Sequence, residues 1–194
     1  MSVCLFGPTR EGAEGNRATA RRPRAVAFFV LGLAALAAGC SSALRGDLIV
    51  GTSAPGASTV DLLVATTRAP VVDRPGVMFG GARGRGLDFA DIVVSVPPEG
   101  PRKPGEVEWP SRPPGDPEHD FVTLRADRMD LVQAKAAFNA RVARTPGCKV
   151  LVFVHGYNTR FEEAVYRFAQ IVHDAHVDVA PVLFTWPSGG NAID

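Results

Sequence analysis

With 194 residues, 46% of them hydrophobic and 21% charged, the chain has the balance of one globular domain rather than of a disordered segment. A formal net charge of +1 removes bulk electrostatic attraction to nucleic acid or to an acidic partner. Of three cysteines, Cys4, Cys40 and Cys148, only the last falls in the body of the chain, which allows no disulfide framework there.

In chain order the first feature is basic. Arg17, Arg21, Arg22 and Arg24 precede an uninterrupted apolar run, Ala25 to Ala38. That run has the length of a signal h-region and falls short of the ~20 residues that span a bilayer. Ala37, Ala38 and Gly39 then lead to Cys40. The arrangement resembles a bacterial lipoprotein signal, with Ala37 where such signals most often carry Leu. The resemblance implies cleavage before Cys40, lipidation of its thiol, and export to the cell envelope. Ser41 is unlike the Asp that commonly retains lipoproteins in the inner membrane, so the expected place is the periplasmic side of the outer membrane. An uncleaved anchor helix is the other reading, and both put the remainder outside the cytoplasm. A start codon downstream of Met1 would account for the long lead-in. Cys148 is then the one cysteine of the exported part, either the edge of a buried strand or a thiol acidified by Lys149.

Residues 41–59, rich in Gly, Ser, Ala and Thr, read as a flexible tether. Residues 60–148 form an N-terminal region of short strands, a proline-rich loop and one helix. Val60–Arg68 is a strand candidate. The glycine-rich "GVMFGGARGRGLDF" reads as a flexible surface loop, since no helix pattern follows to make it a phosphate cradle. Ala90–Pro97 is a second strand. Half of the chain's 16 prolines fall between Pro97 and Asp120, which excludes helix and central strand there. Trp109 suggests that this loop is pinned to the body, and His119 beside Asp120 reads as surface. "FVTLRA" is another short strand. From Met129 to Arg144, Leu131, Val132, Ala136, Phe138 and Val142 recur at helical spacing until Pro146 and Gly147.

The chemistry concentrates in residues 149–194. "VLVFV", Val150–Val154, is apolar throughout and predicts a strand hidden on both faces inside a parallel sheet. His155, Gly156, Tyr157 and Asn158 follow. Thr159 with Glu162 has the spacing of a capping box. Phe161, Ala164, Val165, Phe168, Ala169 and Val172 then share one helical face, with Glu162, Glu163 and Arg167 off it. "VDVAPVLFTWP" supplies the next strand, completing a β-α-β unit. A tight turn at the C-terminal end of such a strand aims backbone N–H groups into the crevice where ligands bind. Gly156 would let the backbone approach closely, and two N–H groups are what a developing oxyanion requires.

"LLVATTR", "PGEVEWPSRPPGDPEHDFV", "LVFVHGYNTRFEEAVYRFAQIVHDA" and "PVLFTWPSGG" are together similar to a bacterial family of α/β-hydrolase-fold proteins, often labelled esterase- or lipase-like. The resemblance runs from Val60 to about Gly189. It implies an α/β fold, here the incomplete front of an α/β-hydrolase core. It makes the Tyr157 N–H the leading oxyanion-hole donor, with Gly156 and Asn158 shaping the turn and His155 bracing it by hydrogen bonds. An ester-type substrate is implied, acyl transfer by a triad requires no cofactor, and nothing points to nucleic acid.

The nucleophile of that fold sits on a G-x-S-x-G elbow, which this sequence lacks. Ser188 in "WPSGG" precedes no helix and is a poor substitute. Nucleophile, acid and base are therefore expected after Asp194. On this reading the chain is the truncated, by itself inactive front portion of a lipid-anchored serine hydrolase. It would leave an apolar edge at "VLFTW" with nothing to pair. The alternative is an inactive envelope lipoprotein with a binding or structural role. His173, Asp174 and His176 raise metal binding, but a polar helix end explains them as well, and no metal is expected.

Overall fold

The alternation around Val60–Arg68 extends at both ends into strand β1, Ser58–Pro70. The computed structural model describes residues 47–98 and 103–189. These lie in the second of the chain's two units, 43–194. The segment expected to be a signal, Cys40, the start of the expected tether and the last five residues lie outside the described residues. Among those described, no helix is long and apolar enough to cross a membrane.

Strand β2 is Phe79–Val96 and β3 is Val122–Met129. Helix α1 is Leu131–Arg144, β4 is Val150–Val154, α2 is Phe161–Ala175 and β5 is Ala180–Thr185. The five strands form one sheet in the order β3-β2-β1-β5-β4. β1, β2 and β3 pair antiparallel, whereas β5 runs parallel to both β1 and β4. This mixed sheet with flanking helices is an α/β fold.

The core lies between the sheet and α2. Leu62 and Val64 of β1, Ile92 and Val94 of β2 and Leu183 of β5 meet Val165 and Phe168 of α2, all fully buried. Each such side chain contributes roughly 1.5–3 kcal/mol through removal from water. Phe153 stacks on Phe168 at 5.2 Å. Tyr166, buried in the same layer, donates to or accepts from Thr123 Oγ1 at 3.0 Å, and burial pushes its phenol up to about 12. Trp109 meets Tyr166 edge-on at 5.7 Å, so the proline-rich segment is fixed to the body.

Five sequence expectations change. The glycine-rich stretch is the first half of β2, not a loop. Gly84 lies against β1 so closely that a Cβ would stand 2.8 Å from the Arg68 carbonyl oxygen. β4 is an edge strand, with Val152 57% and Val154 55% exposed, so it hides one face rather than two. The unpaired edge is thus β4, while "VLFTW" lies inside the sheet between β1 and β4. Cys148 is exposed in a 3₁₀ turn at 146–148 and belongs to no strand. The end of the tether is also held: Leu48 is buried, and the N–H groups of Leu48 and Gly51 donate to Gly76 O and Thr123 O.

Helix α1 starts on a capping box. The Asp130 carboxylate accepts from Gln133 N–H at 2.8 Å, and Gln133 Oε1 accepts from Asp130 N–H at 2.9 Å. Its regularly spaced apolar residues do not form a buried face. Leu131, Val132 and Phe138 are exposed, and the helix buries Ala134 and Arg141 instead. Arg141 donates to Asp61 of β1 at 2.6 Å and to Asp91 of β2 at 2.7 Å.

Candidate functional site

β4 and β5 are parallel neighbours, so their C-terminal ends come together, and both chains leave the sheet at the same rim. From β4 emerges the turn His155–Thr159, and from β5 emerges Trp186–Gly189. His155 joins them. Its ring stacks on Trp186 at 5.2 Å with planes 11° apart. The Trp186 backbone N–H reaches His155 Nε2 at 3.2 Å, and the indole Nε1–H donates to His155 O at 3.0 Å. His155 Nδ1 lies 2.8 Å from Gly156 O.

A second tie runs between the two exits. Thr159 N–H donates to Ser188 Oγ at 3.0 Å. Ser188 is buried, its hydroxyl is held by this backbone donor, and no histidine ring bonds it.

The third tie comes from β1. Arg68 is 1% exposed, a charge placed in the interior at the end of an otherwise apolar strand. Its Nη1 donates to Gly80 O at 3.1 Å and to Ser188 O at 2.8 Å. Its Nη2 donates to Thr159 O at 2.7 Å and meets His155 Nε2 at 3.2 Å. Burial draws its pKa down to about 10, against the opposing pull of Glu162 and Glu163, so it stays a cation at neutral pH. Burial also pushes the His155 ring below its ordinary range, with the Arg68 charge adding to the effect.

The turn itself differs from the sequence expectation in one respect. Its left-handed residue is Asn158, with φ 58°, a conformation asparagine tolerates better than most. Gly156 is not squeezed: a Cβ there would meet nothing within 4 Å. Asn158 Oδ1 is buried with no hydrogen-bond partner among the described residues.

Two recesses flank the turn. One, of about 520 Å³, is lined by Gly81, Ala82, Tyr157, Trp186, Pro187 and Ser188. The other, of about 400 Å³, lies on the α2 side against Trp109, His155, Gly156 and Glu163. Tyr157 is exposed at the mouth of the first.

Helix α2 begins at Phe161, not at Thr159, and the carboxylate that accepts from its start is Glu163, from Arg160 N–H at 2.9 Å. Glu162, expected on the solvent side, is 1% exposed, and desolvation raises its pKa. It pairs with Arg160 at 3.3 Å. His173 and His176 sit at the far end of α2 with ring centroids 5.9 Å apart. Asp174 there accepts from Gln170 Nε2 and from Gly105 N–H, an arrangement that ties helix end to proline-rich segment. Among the described residues no group of three potential metal ligands assembles.

Residues 131–194 match the α/β-hydrolase family described as alpha/beta hydrolase of unknown function (DUF900). The match is to the last third of the chain and takes in α1, β4, the His155–Asn158 turn, α2 and β5. The chain thus has a hydrolase-like α/β fold. Val60 to Asp130, where a wider resemblance was read, lie outside the matched span. No curated protein and no solved structure matches the chain.

Sequence reasoning missed Arg68 and Glu162. Neither has a local signature: one ends a strand candidate, the other sits in a charged pair at a helix start. Their roles arise only when β1, β4, β5 and α2 are brought to one rim.

Proposed function

We propose that this chain supplies the oxyanion-binding side of an ester-hydrolysing site of α/β-hydrolase type. The Tyr157 N–H is the leading donor, and Gly156 and Asn158 shape the turn that carries it. One observation carries the reading: the turn leaves the C-terminal end of a parallel strand, is tied down by His155, Arg68 and Trp186, and opens on a recess with Tyr157 at its mouth. A developing oxyanion is stabilised by donors that need no reorganisation, and this turn is held from three sides. A moderate-size ester or thioester is the substrate class by analogy with the fold alone, and acyl transfer by a triad needs no cofactor.

The second reading is a non-catalytic envelope lipoprotein. It is favoured by Ser188, whose hydroxyl is occupied by Thr159 N–H rather than by a histidine. In both readings Cys40 carries a lipid that places the domain at the envelope membrane. The support is the basic stretch, apolar run and small residues before Cys40. The intact mass of the mature protein tests it: an unmodified cysteine at position 40 rules the anchor out.

Butylphosphonate, a stable tetrahedral oxyanion with an alkyl arm, separates the two functional readings. In amide NMR titrations of the 194-residue protein, the Gly156, Tyr157 and Asn158 signals are expected to move together, while butanol leaves them in place. Signals that stay fixed with phosphonate end the oxyanion reading and leave the lipoprotein one.

A further inference from the structure

The Arg68–His155 contact has a consequence beyond bracing. A guanidinium has only donors, and a backbone N–H can only donate. Arg68 Nη2 and the Trp186 N–H both point at His155 Nε2, each at 3.2 Å. Two obligate donors on one ring nitrogen require that nitrogen to offer its lone pair. The ring is then neutral and its proton sits on Nδ1. Nδ1 faces Gly156 O at 2.8 Å, an obligate acceptor. Three partners that cannot change roles therefore fix one tautomer.

The tautomer reaches the site through a single peptide plane. Gly156 O and the Tyr157 N–H belong to the same planar group, and in a trans peptide they point in opposite directions. Drawing the carbonyl toward the His155 ring turns the Tyr157 N–H away from it. Gly156 would not hold that plane by itself. It has no Cβ, and a Cβ there would meet nothing within 4 Å, so no side-chain contact at this position limits the plane. The Nδ1–H···O contact at 2.8 Å is one restraint that does.

We propose that Arg68 is a positioning residue: by sharing His155 Nε2 with the Trp186 N–H it strengthens the Nδ1–H tautomer, which holds the Gly156 carbonyl and aims the Tyr157 N–H. The aim of that donor is useful for catalysis only on the oxyanion reading above, but the relay from Arg68 to the peptide plane stands without it. The site thus depends on a residue 87 positions upstream in the chain, on β1, where the antiparallel and parallel parts of the sheet meet.

The test uses the full chain, uniformly ¹⁵N-labelled, so that the His155 ring and the Tyr157 amide are both read. In the unmodified protein the His155 ring is expected as the neutral Nδ1–H tautomer, and still so at about pH 6, below the ordinary imidazole midpoint of about 6.5. A ring protonated on Nε2 overturns the proposal without any variant. In Arg68→Gln, the amide can donate or accept, so Nε2 keeps one obligate donor, the Trp186 N–H, instead of two. The Nε2–H tautomer is then expected to appear as a measurable minor population, with the Tyr157 amide signal shifting and broadening, and a tautomer ratio no different from the parent's overturns the role given to Arg68. Butylphosphonate binding at the turn should weaken about tenfold, less than the roughly 10²–10³-fold that outright loss of an oxyanion-hole donor costs in turnover. Arg68→Lys retains an obligate donor and should restore the Nδ1–H tautomer, including where the Gln variant does not fold. A tautomer change that leaves the Tyr157 amide unmoved overturns the relay. A relay that responds as described in a protein that does not bind phosphonate at the turn keeps this inference and removes the oxyanion reading.

Discussion

Helix α2 buries eight of its fifteen residues, from Phe161 to Gln170, whereas α1, one residue shorter, buries Ala134 and Arg141. Both segments show apolar residues at helical spacing. On α2 those residues meet a sheet face rich in Val, Leu and Ile. On α1 the sheet face beneath presents Asp61 and Asp91, and the helix answers with Arg141. Arg125 of β3 joins at 3.0 Å from Asp91, giving a small network of two cations and two carboxylates. The difference teaches that periodicity marks a helix but not what lies against it. The apolar stripe of one helix is its docking face; that of the other is largely open to water.

The sharpest way to break this contrast is to truncate one phenylalanine from each helix. Phe168→Ala removes a fully buried ring stacked on Phe153 and is expected to cost about 3–5 kcal/mol in denaturant unfolding. Phe138→Ala removes a ring that is 36% exposed and is expected to cost below about 1 kcal/mol. Equal losses would mean that α1 is packed as α2 is, and the contrast would fall.

Arg141→Met sharpens it from the other side. The guanidinium is lost while most of the alkyl stem is kept, and Asp61 and Asp91 are left with Arg125 alone. Because Asp61 is itself about half open to water, the expected loss is about 1–2 kcal/mol rather than the larger cost of a fully buried pair. Combining it with Asp91→Asn should recover part of that loss, since the unpaired carboxylate is the main penalty. Strict additivity of the two changes would show that α1 is not held by this network.

The same contrast explains how much was legible beforehand. The β4-α2-β5 unit was readable because its apolar runs, its turn and its helix face are all local in sequence. The His155–Asn158 turn followed from a strand that stops at a His-Gly pair. Three features were not readable. The glycine-rich half of β2 carries no strand pattern of its own, because what makes it a strand is β1 alongside. The exposed face of β4 cannot be told from a buried one, since Val150, Val152 and Val154 are as apolar as Leu151 and Phe153. Arg68 and Glu162 are charged residues buried by elements far away in sequence, and burial of that kind leaves no trace in local spacing.

Two buried titratable groups, His155 in the turn before α2 and Glu162 in its first turn, give the smallest and most diagnostic effect. His155 has a depressed pKa, caused first by burial and then by Arg68. The charged or titratable groups around it are Arg68 from β1 and Glu163 and Arg167 of α2, which line the adjoining recess. A histidine held neutral contributes stability that is present above about pH 6.5 and is lost as pH falls through its folded value. Glu162 has the opposite sign. Burial raises its pKa, so its contribution is present below the ordinary glutamate range and is lost as pH rises through the folded value. Glu162→Gln is therefore expected to melt slightly higher than the parent at about pH 7.5, by the order of 1 kcal/mol or less, with the gain shrinking toward about pH 4. The acid-side decline set by His155 should persist unchanged in that variant. A Gln variant that melts lower at neutral pH would show that the pairing of Glu162 with Arg160 outweighs its burial. It would also place an ion pair, as on α1, among the forces that hold α2.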